Sequence, residues 1–134
     1  MKLIYPLLLT VVAGSANAET PRQLADAYSS EAATQSAGFK PSAQRGGAFF
    51  AKHFAVSERM PACTSCHTEQ AAQSGRHAVT GKEIKPMAVA ANGERFTDSA
   101  KVEKWFRRNC KEVVGRECTA GEKADFIQFA MESR

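Results

Sequence analysis

The pentapeptide Cys63-Thr64-Ser65-Cys66-His67 constrains this chain more than any other feature. Cysteines at i and i+3 share one face of a helical turn, and the histidine follows them directly. That spacing suits thioether bonds to the two vinyl groups of one haem, with the histidine as proximal iron ligand. Two other chemistries use paired cysteines. A structural zinc site needs a second C-x-x-C or H-x-x-x-H pair, whereas the remaining cysteines, Cys110 and Cys118, stand eight positions apart. A thioredoxin-type redox motif needs a βαβ setting, and strand signals are nearly absent here. The motif therefore implies one covalent haem c, bound through Cys63 and Cys66 with His67 on the iron.

The 134 residues amount to one small domain, too few for a multidomain enzyme or a repeat array. With 43% hydrophobic and 24% charged residues, the composition excludes wholesale disorder. The net charge of +4 is spread along the chain rather than massed into a stripe, so nucleic acid is not an expected partner. Met1-Lys2, the apolar run Leu3 to Val12 and the A-x-A site Ala16-Asn17-Ala18 read as a signal peptide. The apolar run is too short to span a bilayer. Cleavage after residue 18 leaves residues 19–134 as one monohaem cytochrome c domain. It is expected to be soluble, monomeric, not membrane-spanning and exported to an oxidising compartment, most simply a periplasm.

Helix start signals recur along that domain. Thr20-Pro21-Arg22-Gln23 offers an N-cap, a proline at the first helical position and a capping-box glutamine. Leu24, Ala25, Tyr28 and Ala32 follow at helical spacing to about Gly38. A second start at Pro41-Ser42 leads into Gly46-Gly47-Ala48-Phe49-Phe50 and ends near Phe54. Gly75 to Gly93 has weak periodicity and reads mainly as ordered loop. Thr97-Asp98-Ser99 caps a helix running to about Cys110. Thr119-Ala120-Gly121-Glu122 opens a terminal helix with Ala124, Phe126, Ile127 and Phe129 as its apolar positions. The pattern is all-α, four or five short helices without repeats, with the haem supplying apolar core.

In an oxidising compartment Cys110 and Cys118 most simply form a disulfide, a staple between the last two helices. The chain-entropy model assigns so short a loop about 2.5 kcal/mol. Val102, Trp105 and Phe106 form an apolar face, and Asn109, seven residues beyond Val102, is expected on the same buried stripe. A buried Asn must be satisfied. Two readings stay open: its amide caps the helix, or its amide oxygen binds iron. Met87, on the proline-stiffened Ile84-Lys85-Pro86-Met87 loop, is the sixth ligand that spacing and ordinary ligand preference would choose. Otherwise it is pocket wall. His53 lies ten residues before Cys63 and His77 ten after His67, each a ligand candidate or a solvated histidine. Lys101, Lys104 and Arg108 share another helix face, either simply solvated or docking an acidic redox partner.

The runs Lys85-Pro86-Met87, Asn92-Gly93-Glu94-Arg95-Phe96-Thr97-Asp98 and Lys101 to Cys110, with Cys118 eight residues later, carry a resemblance. They look like the sphaeroides haem protein (SHP) family, which is close to cytochrome c″. The resemblance extends from about Gly46 to the C-terminus, and the Gly46-x-x-x-Phe50 start resembles the N-terminal helix of class I cytochromes. Its discriminating motif is Asn109-Cys110 followed by Cys118. Cytochrome c″ has histidine at the Asn109 position, so the chain resembles the asparagine-ligated branch. The resemblance implies a class I cytochrome c-like fold and haem attachment at Cys63 and Cys66. It also implies His67 as proximal ligand, Asn109 as a distal ligand that leaves on reduction, and Cys110–Cys118 as the neighbouring disulfide. Met87 becomes packing, and the implied partners are a dihaem cytochrome c and a membrane cytochrome b.

An amide oxygen is a hard neutral donor that suits ferric iron better than ferrous. Reduction should therefore loosen Asn109 and open the haem to diatomic ligands such as NO, O2 or CO. The expectation is a periplasmic monohaem cytochrome for electron transfer with a redox-labile Asn109. One alternative is a plain electron carrier with permanent His67–Met87 ligation. The other is a small oxygen or nitrogen-oxide reductase, for which the sequence identifies no distal general acid or base.

Overall fold

A computed structural model describes residues 18–134, over which five α-helices and a π-helical turn alternate with ordered loops. The expected signal segment, apart from Ala18, lies outside the described residues. Helix α1 (Pro21–Gln35) begins at a reciprocal box: the Thr20 hydroxyl accepts the Gln23 N–H and the Gln23 side chain accepts the Thr20 N–H. Helix α2 (Ala43–Ala51) opens on Ser42, whose hydroxyl accepts the Arg45 N–H, and ends three residues before the expected stop at Phe54. Helix α3 (Thr64–His67) is the single turn of the cysteine motif. Asp98 caps α4 (Ser99–Asn109), and a Thr119–Glu122 box caps α5 (Ala120–Glu132). The stretch 75–93 is mainly loop, but β1 (Gly75–Arg76) pairs antiparallel with β2 (Glu83–Ile84) inside it. Where the helix was expected to stop, residues Cys110–Val114 continue as a π-helical turn, closed by Gly115 at φ +80°. No helix among the described residues is long and apolar enough to cross a membrane.

The core gathers on α5, which packs against both α1 and α2. Ala124, Ile127 and Ala130 are fully buried on it. The Phe126 ring meets Phe106 at 5.7 Å, Phe50 at 5.9 Å and Phe96 at 6.3 Å between centroids, all tilted or edge-on. Gly46 sets the α2–α5 distance, because a Cβ there would overlap the Asp125 carbonyl. The same crossing is held by the buried Asp125 carboxylate. It accepts the Arg45 Nε and Nη2 donors and the Ser42 N–H, each at 2.7 Å.

Asp125→Ala would leave the Ser42 N–H and the Arg45 guanidinium without their acceptor inside this crossing. The substitution is expected to lower stability by about 2 kcal/mol, between the values for exposed and buried pairs. A lower urea midpoint at unchanged slope would show this, and an unchanged midpoint would mean that the pair holds nothing.

Candidate functional site

The attachment turn is built tightly. Cys63 stands at the N-terminus of α3, and the Cys66 and His67 N–H groups both donate to its carbonyl, at 3.3 and 3.1 Å. Gly75 of β1 lies so close that a Cβ would overlap the Cys66 carbonyl. The Ala78 N–H approaches Cys66 Sγ at 3.3 Å. Both motif thiols are free and half-buried. Burial pushes the Cys63 thiol up to about 11, the reverse of the depressed thiol that a redox C-x-x-C uses. Burial, and then the charge of Arg95, pull the His67 imidazole down to about 4. The ring is therefore neutral at ordinary pH and keeps a lone pair for a metal. No three His, Cys, Asp or Glu side chains among the described residues are arranged to hold a metal ion, and the small sheet is a hairpin rather than a βαβ unit. The zinc and thioredoxin alternatives thus find no support in the fold.

Around His67 the fold places an aromatic ring and a guanidinium. Phe50 lies 6.3 Å from the imidazole between centroids. Arg95 donates through Nε to the Pro86 carbonyl at 2.8 Å and through Nη2 to the Lys85 carbonyl at 2.6 Å, binding the 85–96 loop together. Met87 is buried in the core cluster with Phe50 and Phe96. Its N–H and that of Ala88 both donate to the Ala71 carbonyl at 2.8 Å, four residues after His67. His77 serves its own turn: Nδ1 accepts the Val79 and Thr80 N–H groups at 3.3 and 3.2 Å. That turn carries Ala78 against Cys66. His53 is exposed, on the rim of a cleft of about 580 Å³ also lined by Phe54, Val56 and Pro61.

The distal candidate departs from the expectation. Asn109 is exposed rather than buried, and so is Trp105, at 44%. The inward line of α4 and the π turn is Val102, Phe106, Cys110 and Val113. The helix is rotated because its polar contacts point inward too. Glu103 accepts from the Tyr28 hydroxyl at 2.8 Å and from Lys123 Nζ at 2.8 and 2.9 Å, while Phe106 meets the Tyr28 ring edge-on. Asn109 makes no capping hydrogen bond through its side chain, so the helix-cap reading is not met. Cys110 and Cys118 are joined in a disulfide with Cα atoms 5.7 Å apart. It ties the start of the π turn to the residue before the α5 cap. Within its loop, Arg116 grips Glu122 with two hydrogen bonds, at 2.6 and 2.8 Å.

Among the described residues, the three exposed large apolar side chains all adjoin these elements: Val56 at 52%, Val79 at 49% and Trp105. Val79 follows Ala78 at Cys66, Val56 meets Gly115 at the end of the π turn, and Trp105 stands one turn before Asn109. Two free thiols, a neutral imidazole, an uncommitted amide and uncovered apolar side chains fit a flat apolar macrocycle carrying iron. Cys63, Cys66 and His67 share one turn, Asn109 and the disulfide belong to another element, and Met87 belongs to the core. Val56 carries no motif and is not singled out by the sequence, which offers His77 only as a ligand candidate or solvated histidine and Arg95 only within a run that carries the resemblance.

Known proteins are similar to this chain in sequence and fold. A family model described as a domain of unknown function (DUF1924) matches residues 36–130. The cytochrome c-type protein SHP of Cereibacter sphaeroides is 46% identical over 128 residues, covering 93% of this chain and 95% of that protein. The structure of oxidized SHP, an oxygen-binding cytochrome c, matches with a TM-score of 0.75 at 44% identity, over 84% of this chain and 96% of that one. The solution structure of cytochrome c″ from Methylophilus methylotrophus, which addresses haem-ligand detachment, matches at 0.74 with 37% identity, over 84% and 93% of the two chains.

The Glu103 cluster that orients α4 has a pH signature. Burial alone would raise this carboxyl, but hydrogen bonds from Lys123 and Tyr28, with the Lys123 charge, hold it below the usual carboxylate range. Its contribution is full above the unfolded value of about 4.3 and is lost as pH falls through the lower folded value. Thermal midpoints followed from about pH 6 to about pH 3 should drop less steeply for Glu103→Gln than for the parent. Equal slopes would remove the cluster from this role.

Proposed function

Because the chain belongs to the DUF1924 family and, with SHP and cytochrome c″, to the monohaem c-type cytochromes, we propose that it is an exported electron-transfer cytochrome whose Asn109 ligand is released on reduction. Its cofactor is one covalent haem c, which when bound supplies one-electron exchange at iron and, with a ferrous position open, affinity for diatomic ligands. Cys63 and Cys66 make the thioethers, and His67, kept neutral by burial, takes the proximal position. Asn109 offers its amide oxygen at the distal position, a donor that favours the ferric state.

The observation that carries this reading is the state of the Asn109 amide. It is exposed and makes no capping bond, on a segment braced immediately afterwards by the Cys110–Cys118 disulfide. Binding and release therefore break no capping bond. Met87 stands in the opposite situation: its side chain is core and its backbone is anchored on Ala71. Oxygen binding is described for SHP and haem-ligand detachment for cytochrome c″. Carried over to this chain, they give a carrier that takes O2, NO or CO when reduced, rather than a reductase. Lys101 and Lys104, exposed on the α4 face next to Trp105, offer a docking face to an acidic redox partner. The partners carried over with the family are a dihaem cytochrome c and a membrane cytochrome b. Residues 1–18 would direct export to the periplasm and be removed, leaving residues 19–134 as the working domain.

Asn109→Leu deletes the donor atom while nearly keeping the side-chain volume. The oxidised variant is expected to lose the parent's six-coordinate absorption spectrum, while Met87→Leu keeps it. An oxidised spectrum unchanged by Asn109→Leu and altered by Met87→Leu would assign the sixth position to Met87.

A further inference from the structure

We propose that the 53–61 loop is the entry gate for small ligands, with Val56 setting how fast they reach the side of the haem that Asn109 leaves, a role that rests on the Asn109 reading above and extends it to the ligand's route. The Phe54 N–H donates to the Pro61 carbonyl at 2.6 Å and closes the loop at its base. Only the buried Ala62 separates that base from Cys63, so one end of the loop is fixed to the haem attachment. The other side reaches the distal element: Val56 Cγ2 lies 2.8 Å from where a Cβ of Gly115 would stand. Gly115 closes the π turn that starts next to Asn109. The loop thus bridges the two elements that must flank the haem.

The cleft of about 580 Å³ runs along this loop, lined by the apolar Phe54, Ala55, Val56 and Pro61 and by the polar His53, Ser57 and Glu58. A neutral diatomic passes the apolar side chains without losing hydrogen bonds, whereas an ion beside them would pay a desolvation cost. Val56 is 52% exposed, so core packing does not hold its side chain in place. A Cβ on Gly115 would displace the Val56 side chain, so the two residues are close neighbours.

The test is flash photolysis of the CO adduct of the reduced holoprotein, comparing the parent with Val56→Ala and Val56→Trp. The smaller side chain is expected to speed CO association about threefold and the larger one to slow it about fivefold, within the span usual for variants of one site. Methyl isocyanide, a bulkier probe, should spread the three proteins further apart. Thermal midpoints should stay within about 2 °C of the parent, since Val56 is a surface side chain. Identical CO rates in all three proteins would overturn the gate while leaving the Asn109 reading intact. A reduced parent that takes up no CO would overturn the Asn109 reading, and the gate with it.

Discussion

Phe126 is the contact on which both sides of the site depend. Its ring meets Phe50, which faces His67, and Phe106, which seats α4. One side chain of the terminal helix thereby fixes the element beside the attachment turn and the element that carries Asn109. Its position depends in turn on the α2–α5 crossing, where Gly46 permits close approach and the Asp125–Arg45 pair locks it. Interiors packed in this way transmit displacement rather than absorb it. The proximal and distal halves are therefore held against a common reference.

Against that fixed frame, one side chain is left uncommitted. α4 is pinned on its inner face by Tyr28, Glu103 and Lys123, and the π turn and its loop are pinned by the disulfide and by Arg116 on Glu122. Asn109 lies between the two clamps, at the junction of α-helix and π turn, where inserted residues often mark functional positions. Its amide is the polar group at this junction that caps nothing. A ligand that must bind in one oxidation state and leave in the other needs this kind of freedom, because each bond to protein would bias it toward one state. The disulfide limits how far the backbone can move and confines the change to a short segment.

Much of this was legible in the sequence, for local reasons. Thr20, Ser42, Asp98 and Thr119 announce their helices because a cap is a contact within three residues. The attachment motif and the Cys110–Cys118 pair are equally readable, since covalent chemistry fixes their spacing. The phase of α4 was not. Trp105 counts as apolar in any periodicity, yet Phe106 and Glu103 take the inward face because Tyr28 and Lys123, distant in sequence, provide the partners. The π turn, the service of His77 to its own loop and the contact of Val56 with Gly115 also depend on tertiary neighbours. No period or composition encodes them.

The proposed ligation keeps His67 on the iron in both oxidation states and releases Asn109 on reduction. Resonance Raman spectra of the oxidised and the reduced protein, recorded without added ligand, test it most directly. Six-coordinate iron is expected when oxidised and five-coordinate iron with a histidine stretch when reduced. Six-coordinate iron in both states would contradict it.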